Sequence, residues 1–295
     1  CIRDRVYAEA VASVTPTIDF GTVRVGSAAE STISISNTGS GALVDDLRET
    51  SRSVDTPFSV DPLGGDVAAG DSATLGVAMD TSVAGVYSGG ATLGFASHNK
   101  LLADLDLGFE SVSFGGTVNN LASAAFVDVA DADNDGLLSS SGLNFLLDFG
   151  TIFDTDLGVK MRDVIGVKNT ALGPADNLAG SFTSLGSGSC AIFCLGGGAL
   201  SFDPFSGLTA QSILDGLAVE LDTSTLGLGV YQDSISLNAR STLLGFDDIF
   251  LDVSTLTFRI NVREAGQQVP IPGTLLLLLM GLGIFQRQRR LEVAV

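Results

Sequence analysis

Tryptophan is absent, histidine occurs once, cysteine three times, and only 15 Lys and Arg stand against 34 Asp and Glu. Each scarcity closes off a class of function. A net charge of −19 argues against nucleic acid, whose phosphates need a basic face. A single histidine, in Ala96-Ser-His98-Asn-Lys100, is the one base a hydrolytic triad would have, and no Gly-x-Ser-x-Gly elbow accompanies it. It is expected to belong to a turn at a strand end. The lack of tryptophan, with only three tyrosines, weighs against a platform of aromatics for stacking on sugars. Cys190 and Cys194, in Gly186–Gly198, either close a small disulfide loop or remain thiols, and the two further ligands of a zinc site are not near them. The Gly-rich stretches 186–188 and 196–198 lack the Lys-Ser/Thr ending of a phosphate-binding loop. Asp45-Asp46 and Asp247-Asp248 have the composition of a glycosidase pair, but in so acidic a chain paired carboxylates are expected on loops.

What the chain does have is short alternating runs. Thr17–Val25, Ser31–Asn37, Ala73–Met79, Val86–Phe95 and Leu105–Val118 read as strands, separated by turns such as Asn37-Thr-Gly-Ser-Gly41. That spacing predicts antiparallel β-sandwiches. The same landmarks then recur in order. Asp19-Phe-Gly-Thr22 returns as Asp148-Phe-Gly-Thr151, and Asn37-Thr38 as Asn169-Thr170. Pro57-Phe-Ser59 returns as Pro204-Phe-Ser206, Asp80-Thr-Ser82 as Asp222-Thr-Ser224, and Gly85-Val-Tyr87 as Gly229-Val-Tyr231. The fold class that follows is all-β: two tandem immunoglobulin-like antiparallel β-sandwiches plus a C-terminal transmembrane helix. The expected boundaries are 15–120 and 148–264 for the sandwiches, the second being the more divergent. Residues 121–147 are an acidic connector and the start of repeat 2. Residues 1–14 are a signal-peptide remnant, because Ala8-Glu-Ala10 has the small-x-small form of a cleavage site.

Two further stretches suggest sites. In the connector, Asp131, Asp133 and Asp135 with Gly136 have the spacing of a Ca²⁺ loop, in which Leu137 would offer its carbonyl and Ser139 its hydroxyl. Gly142 stands where such a loop has its bidentate acid. No cofactor is required by this reading, and Ca²⁺ is the one candidate. At the other end of the chain, residues 268–290 combine prolines, an uncharged apolar run and three arginines. At about 1.5 Å per residue the run from Val269 to Phe285 reaches about 25 Å, enough to enter a bilayer as a helix.

That tail resembles the PEP-CTERM sorting signal of exosortase substrates. The matching residues are Val269, Pro270 and Pro272, the Leu275–Leu279 run, and Arg287, Arg289 and Arg290, with Ile271 in place of the family's usual Glu. The resemblance implies export, processing by an exosortase-type membrane protease and release to the cell surface or matrix. Asp19-Phe-Gly, Gly26 and Ile33-Ser-Ile-Ser-Asn37-Thr-Gly39, with Ala69-Gly70 and Gly116-Thr-Val118, are similar to the ASPM–SPD-2–Hydin class of immunoglobulin-like domains. That resemblance implies a non-enzymatic module. Together they imply an exported structural or interaction protein. Its partners would be the protease, the membrane through the span, and polysaccharide or other surface proteins. The alternative is a secreted carbohydrate-binding or carbohydrate-active protein on the same scaffold.

Overall fold

A computed structural model describes residues 7–129, 135–184, 193–195 and 202–266. The tail from 267 onward, with Val269, Pro270, Ile271, Pro272, Arg287, Arg289 and Arg290 and the expected span, lies outside the described residues, as do Cys1, Asp131, Asp133 and Cys190. Among the described residues no helix is long and apolar enough to cross a membrane.

Strands dominate because alternation runs through almost every segment. In β3 (Glu30–Asn37), Ile33, Ile35 and Asn37 face inward while Glu30, Thr32 and Ser34 face out or sit at the rim. Sandwich 1 packs a sheet of order β1-β3-β6-β5 on one of order β2-β8-β7-β4. Its first sheet holds β1 (Ala12–Val14), β3, β5 (Phe58–Val60) and β6 (Ser72–Met79). The second holds β2 (Thr17–Arg24), β4 (Asp46–Val54), β7 (Gly85–His98) and β8 (Leu105–Asn119). Sandwich 2 repeats the plan. One sheet runs β14-β16-β12-β9, made of β9 (Ala124–Asp128), β12 (Lys160–Asn169), β14 (Phe193–Leu195) and β16 (Ile213–Asp222). The other runs β10-β11-β19-β17-β13-β15. It comprises β10 (Leu137–Ser141), β11 (Asn144–Phe153), β13 (Asn177–Ser184), β15 (Phe205–Leu208), β17 (Gly229–Thr242) and β19 (Ser254–Arg263), with β18 (Ile249–Phe250) paired to β17. Each sandwich closes over its own apolar cluster.

Both boundaries differ from the sequence reading. Residues assigned to a signal remnant belong to sandwich 1: Ala10 is in its core, and Ala12–Val14 pairs with β3. The stretch read as an acidic connector and the start of repeat 2 contains β9 and β10, both paired within sandwich 2, which therefore begins before residue 148. Three-residue and five-residue strands carry too little alternation to register as pattern.

The repeat holds at the level of pairing. β2 runs parallel to β8, and β11 parallel to β19, each with a bulge at the Phe-Gly of an Asp-Phe-Gly. Asp19 Oδ1 accepts from Gly21 N and Asp148 Oδ1 from Gly150 N, and both glycines have positive φ. One sequence match fails. Phe58 pairs with Met79 on β5, and its counterpart opposite Leu221 is Phe193, not Phe205. Pro204-Phe-Ser206 runs into β15, on the other sheet. The core confirms the substitution: the rings of Phe20, Phe58 and Phe114 adjoin in sandwich 1 as those of Phe149, Phe193 and Phe258 do in sandwich 2.

Candidate functional site

Where polar groups are buried, each sandwich uses the same device. Asn37 Nδ2 donates to Asp45 O and Val67 O, while its Oδ1 accepts from Val11 N and Gly39 N. Asn169 does the same with Asp176 O, Leu208 O, Ser123 N and Ala171 N. Four hydrogen bonds satisfy all the capacity of a buried amide, so each asparagine ties three strand ends together without an orphaned group. Beside each stands an aspartate. Asp45 accepts from Ser97 Oγ and Asn99 Nδ2; Asp176 accepts from Ser241 Oγ and Asn119 Nδ2.

At Asp176 the device becomes a joint between the sandwiches. Arg24, the last residue of β2, reaches from sandwich 1 and donates Nε to Asp176 Oδ2 at 2.7 Å. Its Nη1 donates to Asp247 O at 2.7 Å and its Nη2 to Ser241 O at 3.4 Å. The guanidinium carbon lies 5.6 Å from the Phe246 ring centre. Arg24 is 6% exposed and Asp176 1%. Burying such a pair is costly, and it is tolerated here because each guanidinium nitrogen and each carboxylate oxygen finds a partner. The backbone reinforces it, with Asp176 N donating to Asn120 O and Asn120 N to Pro174 O. Moving either sandwich away would break these bonds and separate the two charges.

The lone histidine sits in a second polar cluster. His98, at the end of β7, has Nδ1 2.6 Å from Asp104 Oδ1, and Arg48 bonds both Asp66 and Asp104. The Arg48 side-chain hydrogen bond holds the Asp66 carboxyl below its ordinary value, and His98 does the same for Asp104. No serine hydroxyl bonds His98 among the described residues. The groove beside it is lined by Arg48, Glu49, Arg52, Leu63 and Asp66, and Glu49 likewise pairs with Arg52.

Of the sequence-predicted site residues, Asp135 accepts from Arg162 N through Oδ2. Leu137 and Ser139 lie on β10, in register with Asp148 and Leu146. Gly136 N donates to the buried Asp163 carboxylate. No group of three or more metal-ligating side chains occurs among the described residues. The backbone of Cys194 pairs with Glu220 in β14. Asp45 holds a half-buried place in the polar network at the rim of sandwich 1, and Asp248 pairs with Arg240. The joint residues Arg24, Asn119, Asp176 and Ser241 were missed. The one available signal was a basic residue closing an alternating strand in a chain with few basic residues.

These features define a pair of immunoglobulin-like sandwiches joined end to end. Residues 7–86 match the family model described as abnormal spindle-like microcephaly-associated, ASPM-SPD-2-Hydin (ASH), a match that spans the first six strands and ends inside β7. The first sandwich is therefore supported as a domain of that kind. Among solved structures, the chain is similar to the ASH/PapD-like domain 7 of human CEP192 at 10% identity, covering 47% of this chain and 92% of that one, with a TM-score of 0.26. It is similar to the titin I-band fragment I67–I69 at 10% identity, covering 86% and 66%, with a TM-score of 0.31. It is also similar to CfaE, the adhesive subunit of CFA/I fimbria of enterotoxigenic Escherichia coli, at 9% identity, covering 80% of each chain, with a TM-score of 0.35. No curated protein matches the chain in sequence.

Proposed function

We propose that the chain is an exported, non-enzymatic surface or matrix protein whose task is presentation: two sandwiches held as one stiff body, delivered by the C-terminal signal. The observation that supports the scaffold role is the buried Arg24–Asp176 joint. A flexible linker would suffice to string two independent binding modules together; a buried charge pair serves a body that must keep its length and angle. An acidic, lysine-poor surface suits an extracellular environment. The sorting half of the proposal rests on the sequence of the tail, with Val269–Pro272 before the span and Arg287, Arg289 and Arg290 after it. An exosortase-type protease is the implied processing partner, and polysaccharide or other surface proteins are the implied contacts. Ca²⁺ at Asp131–Ser139 would be an accessory that stiffens the start of sandwich 2.

Intact mass of the protein recovered from the cell surface or medium tests the sorting step. Loss of everything beyond the Val269–Pro272 region is the expected result. A full-length product extracted only with detergent would replace sorting by simple anchorage. The calcium element is tested separately, by thermal unfolding with added Ca²⁺ and with a chelator; identical curves would remove it.

A further inference from the structure

The outer face of sandwich 2 carries side chains that its fold does not need. β19 turns Leu256, Phe258, Ile260 and Val262 into the core, and so turns Arg259, Asn261 and Arg263 outward at every second residue. Pairing with β11 and β17 sets these in rows across three strands. Asp148, Arg259 and Gln232 stand side by side in one row, and Thr151, Asn261 and Val230 in the next. Arg263 follows, with Phe153 beside it. The two complete rows line a groove of about 320 Å³.

Sandwich 1 keeps the frame of this groove and leaves it bare. Asp19, Gly21, Thr22 and Val86 stand where Asp148, Gly150, Thr151 and Val230 stand. The places of Arg259, Gln232 and Asn261 are held by Gly115, Ser88 and Thr117. The same pairing is thus made with short side chains, and neither the guanidinium nor the two amides are required for it.

Their chemistry suits hydroxyl groups. Arg259 donates to Asp148 through Nη2, which ties down the longest side chain of the set and lowers the entropy lost on binding a ligand. Gln232 is exposed and its amide bonds no other group among the described residues, while Asn261 Nδ2 has one long contact, 3.4 Å to Thr151 Oγ1. Each amide offers donors and an acceptor on one planar group. Val230, 60% exposed, adds an apolar patch within the groove, and Phe153, 44% exposed, adds another at its edge. A sugar ring has the matching composition, hydroxyls around its rim and C–H groups on its faces. Charge decides between sugar polymers. Arg259 and Arg263 are outnumbered on and beside this face by Asp148, Asp154, Asp156, Asp233 and Glu264, in a chain of net charge −19, so a polyanion is repelled.

We propose that this groove binds a neutral polysaccharide, held across β11, β19 and β17 by Arg259, Gln232 and Asn261 with its apolar face on Val230. The inference rests on the polysaccharide contact in the proposed function and not on the sorting signal.

Native affinity electrophoresis of the full-length chain in mild detergent tests it, in gels holding an α-glucan, a β-glucan, a mannan, a galactan, a xylan or the polyanion alginate. Slowed migration in at least one neutral polymer, and none in alginate, is the expected result. Gln232→Ala and Asn261→Ala should each weaken that retardation about 5-fold and Arg259→Ala about 10-fold, the scale of one or two hydrogen bonds. Gln232 is exposed, so its readout stands even if Asn261→Ala disturbs the sheet. Ser88→Ala and Thr117→Ala, on the bare face of sandwich 1, should leave retardation unchanged. Retardation that survives both Gln232→Ala and Arg259→Ala would move the contact off this groove and overturn the inference, while leaving the proposed function in place. Retardation by alginate alone would overturn it as well. Free migration in every gel would remove polysaccharide from the proposed contacts altogether, and this inference with it.

Discussion

The two sandwiches bury the same polar skeleton but expose it differently. At Asp45 a carboxylate bonds a serine and an asparagine of its own sandwich at the rim; at Asp176 the same arrangement is sealed beneath a guanidinium from the neighbour. One design therefore serves both as a strand clip and as a joint, and the difference is one arginine and the burial it brings. The largest expected effect breaks this comparison directly. Asp176→Ala should destabilise by about 3–5 kcal/mol, because it leaves Arg24 buried without a counter-charge. Asp45→Ala should cost about 1–2 kcal/mol, since it removes only hydrogen bonds near solvent. Urea denaturation of both variants measures the gap, and equal losses would mean that burial of Arg24 contributes nothing specific.

Next in size are the paired asparagines. Asn37→Ala and Asn169→Ala should each cost about 2–3 kcal/mol by stranding buried backbone donors and acceptors. If the two sandwiches are one design, their denaturation midpoints should shift by similar amounts. A smaller contrast lies where the chain passes the asparagine a second time. Gly70 N bonds Asn37 O, and Gln211 N bonds Asn169 O; both residues have positive φ. Gly70→Ala should cost about 1 kcal/mol, the strain an L side chain meets there. Gln211→Gly should change stability by less than about 1 kcal/mol. It relieves that strain but loses the bonds from Gln211 Nε2 to Thr170 O and Ala171 O.

The smallest effect concerns acid. Asp148 is held below its ordinary value chiefly by the Arg259 hydrogen bond, whereas Asp19, its counterpart, faces Gly115. A depressed folded value means that the stabilisation is present above the unfolded value of 3.8 and is lost as pH falls through the folded one. Arg259→Ala should leave neutral stability almost unchanged and flatten the decline below about pH 4. Unfolding measured between pH 2 and pH 7 (about four points suffice to define the slope) checks the sign.

Much of this fold is legible in local sequence, because its signals are local. Alternation in Ser31–Asn37 marks a half-buried strand, Asp19-Phe-Gly21 and Asp148-Phe-Gly150 mark a bulge, and Tyr87 and Tyr231 each bond a carbonyl four residues back. Asp80 and Asp222 likewise each accept from a serine N–H two residues on. Pro204-Phe-Ser206 misled for the same reason: three residues resemble Pro57-Phe-Ser59, but a phenylalanine's place in a core is decided by its pairing partner. Phe193 takes that place without a flanking proline. The joint was illegible because Arg24 and Asp176 are 152 residues apart, and no local pattern announces a contact of that range.

Calorimetry of the full-length protein, wild type against Arg24→Leu, tests the central claim that the joint makes two sandwiches one body. A single cooperative transition in the wild type, split into two by Arg24→Leu, is the predicted result. Two transitions already in the wild type, or one transition unchanged by the substitution, would contradict it.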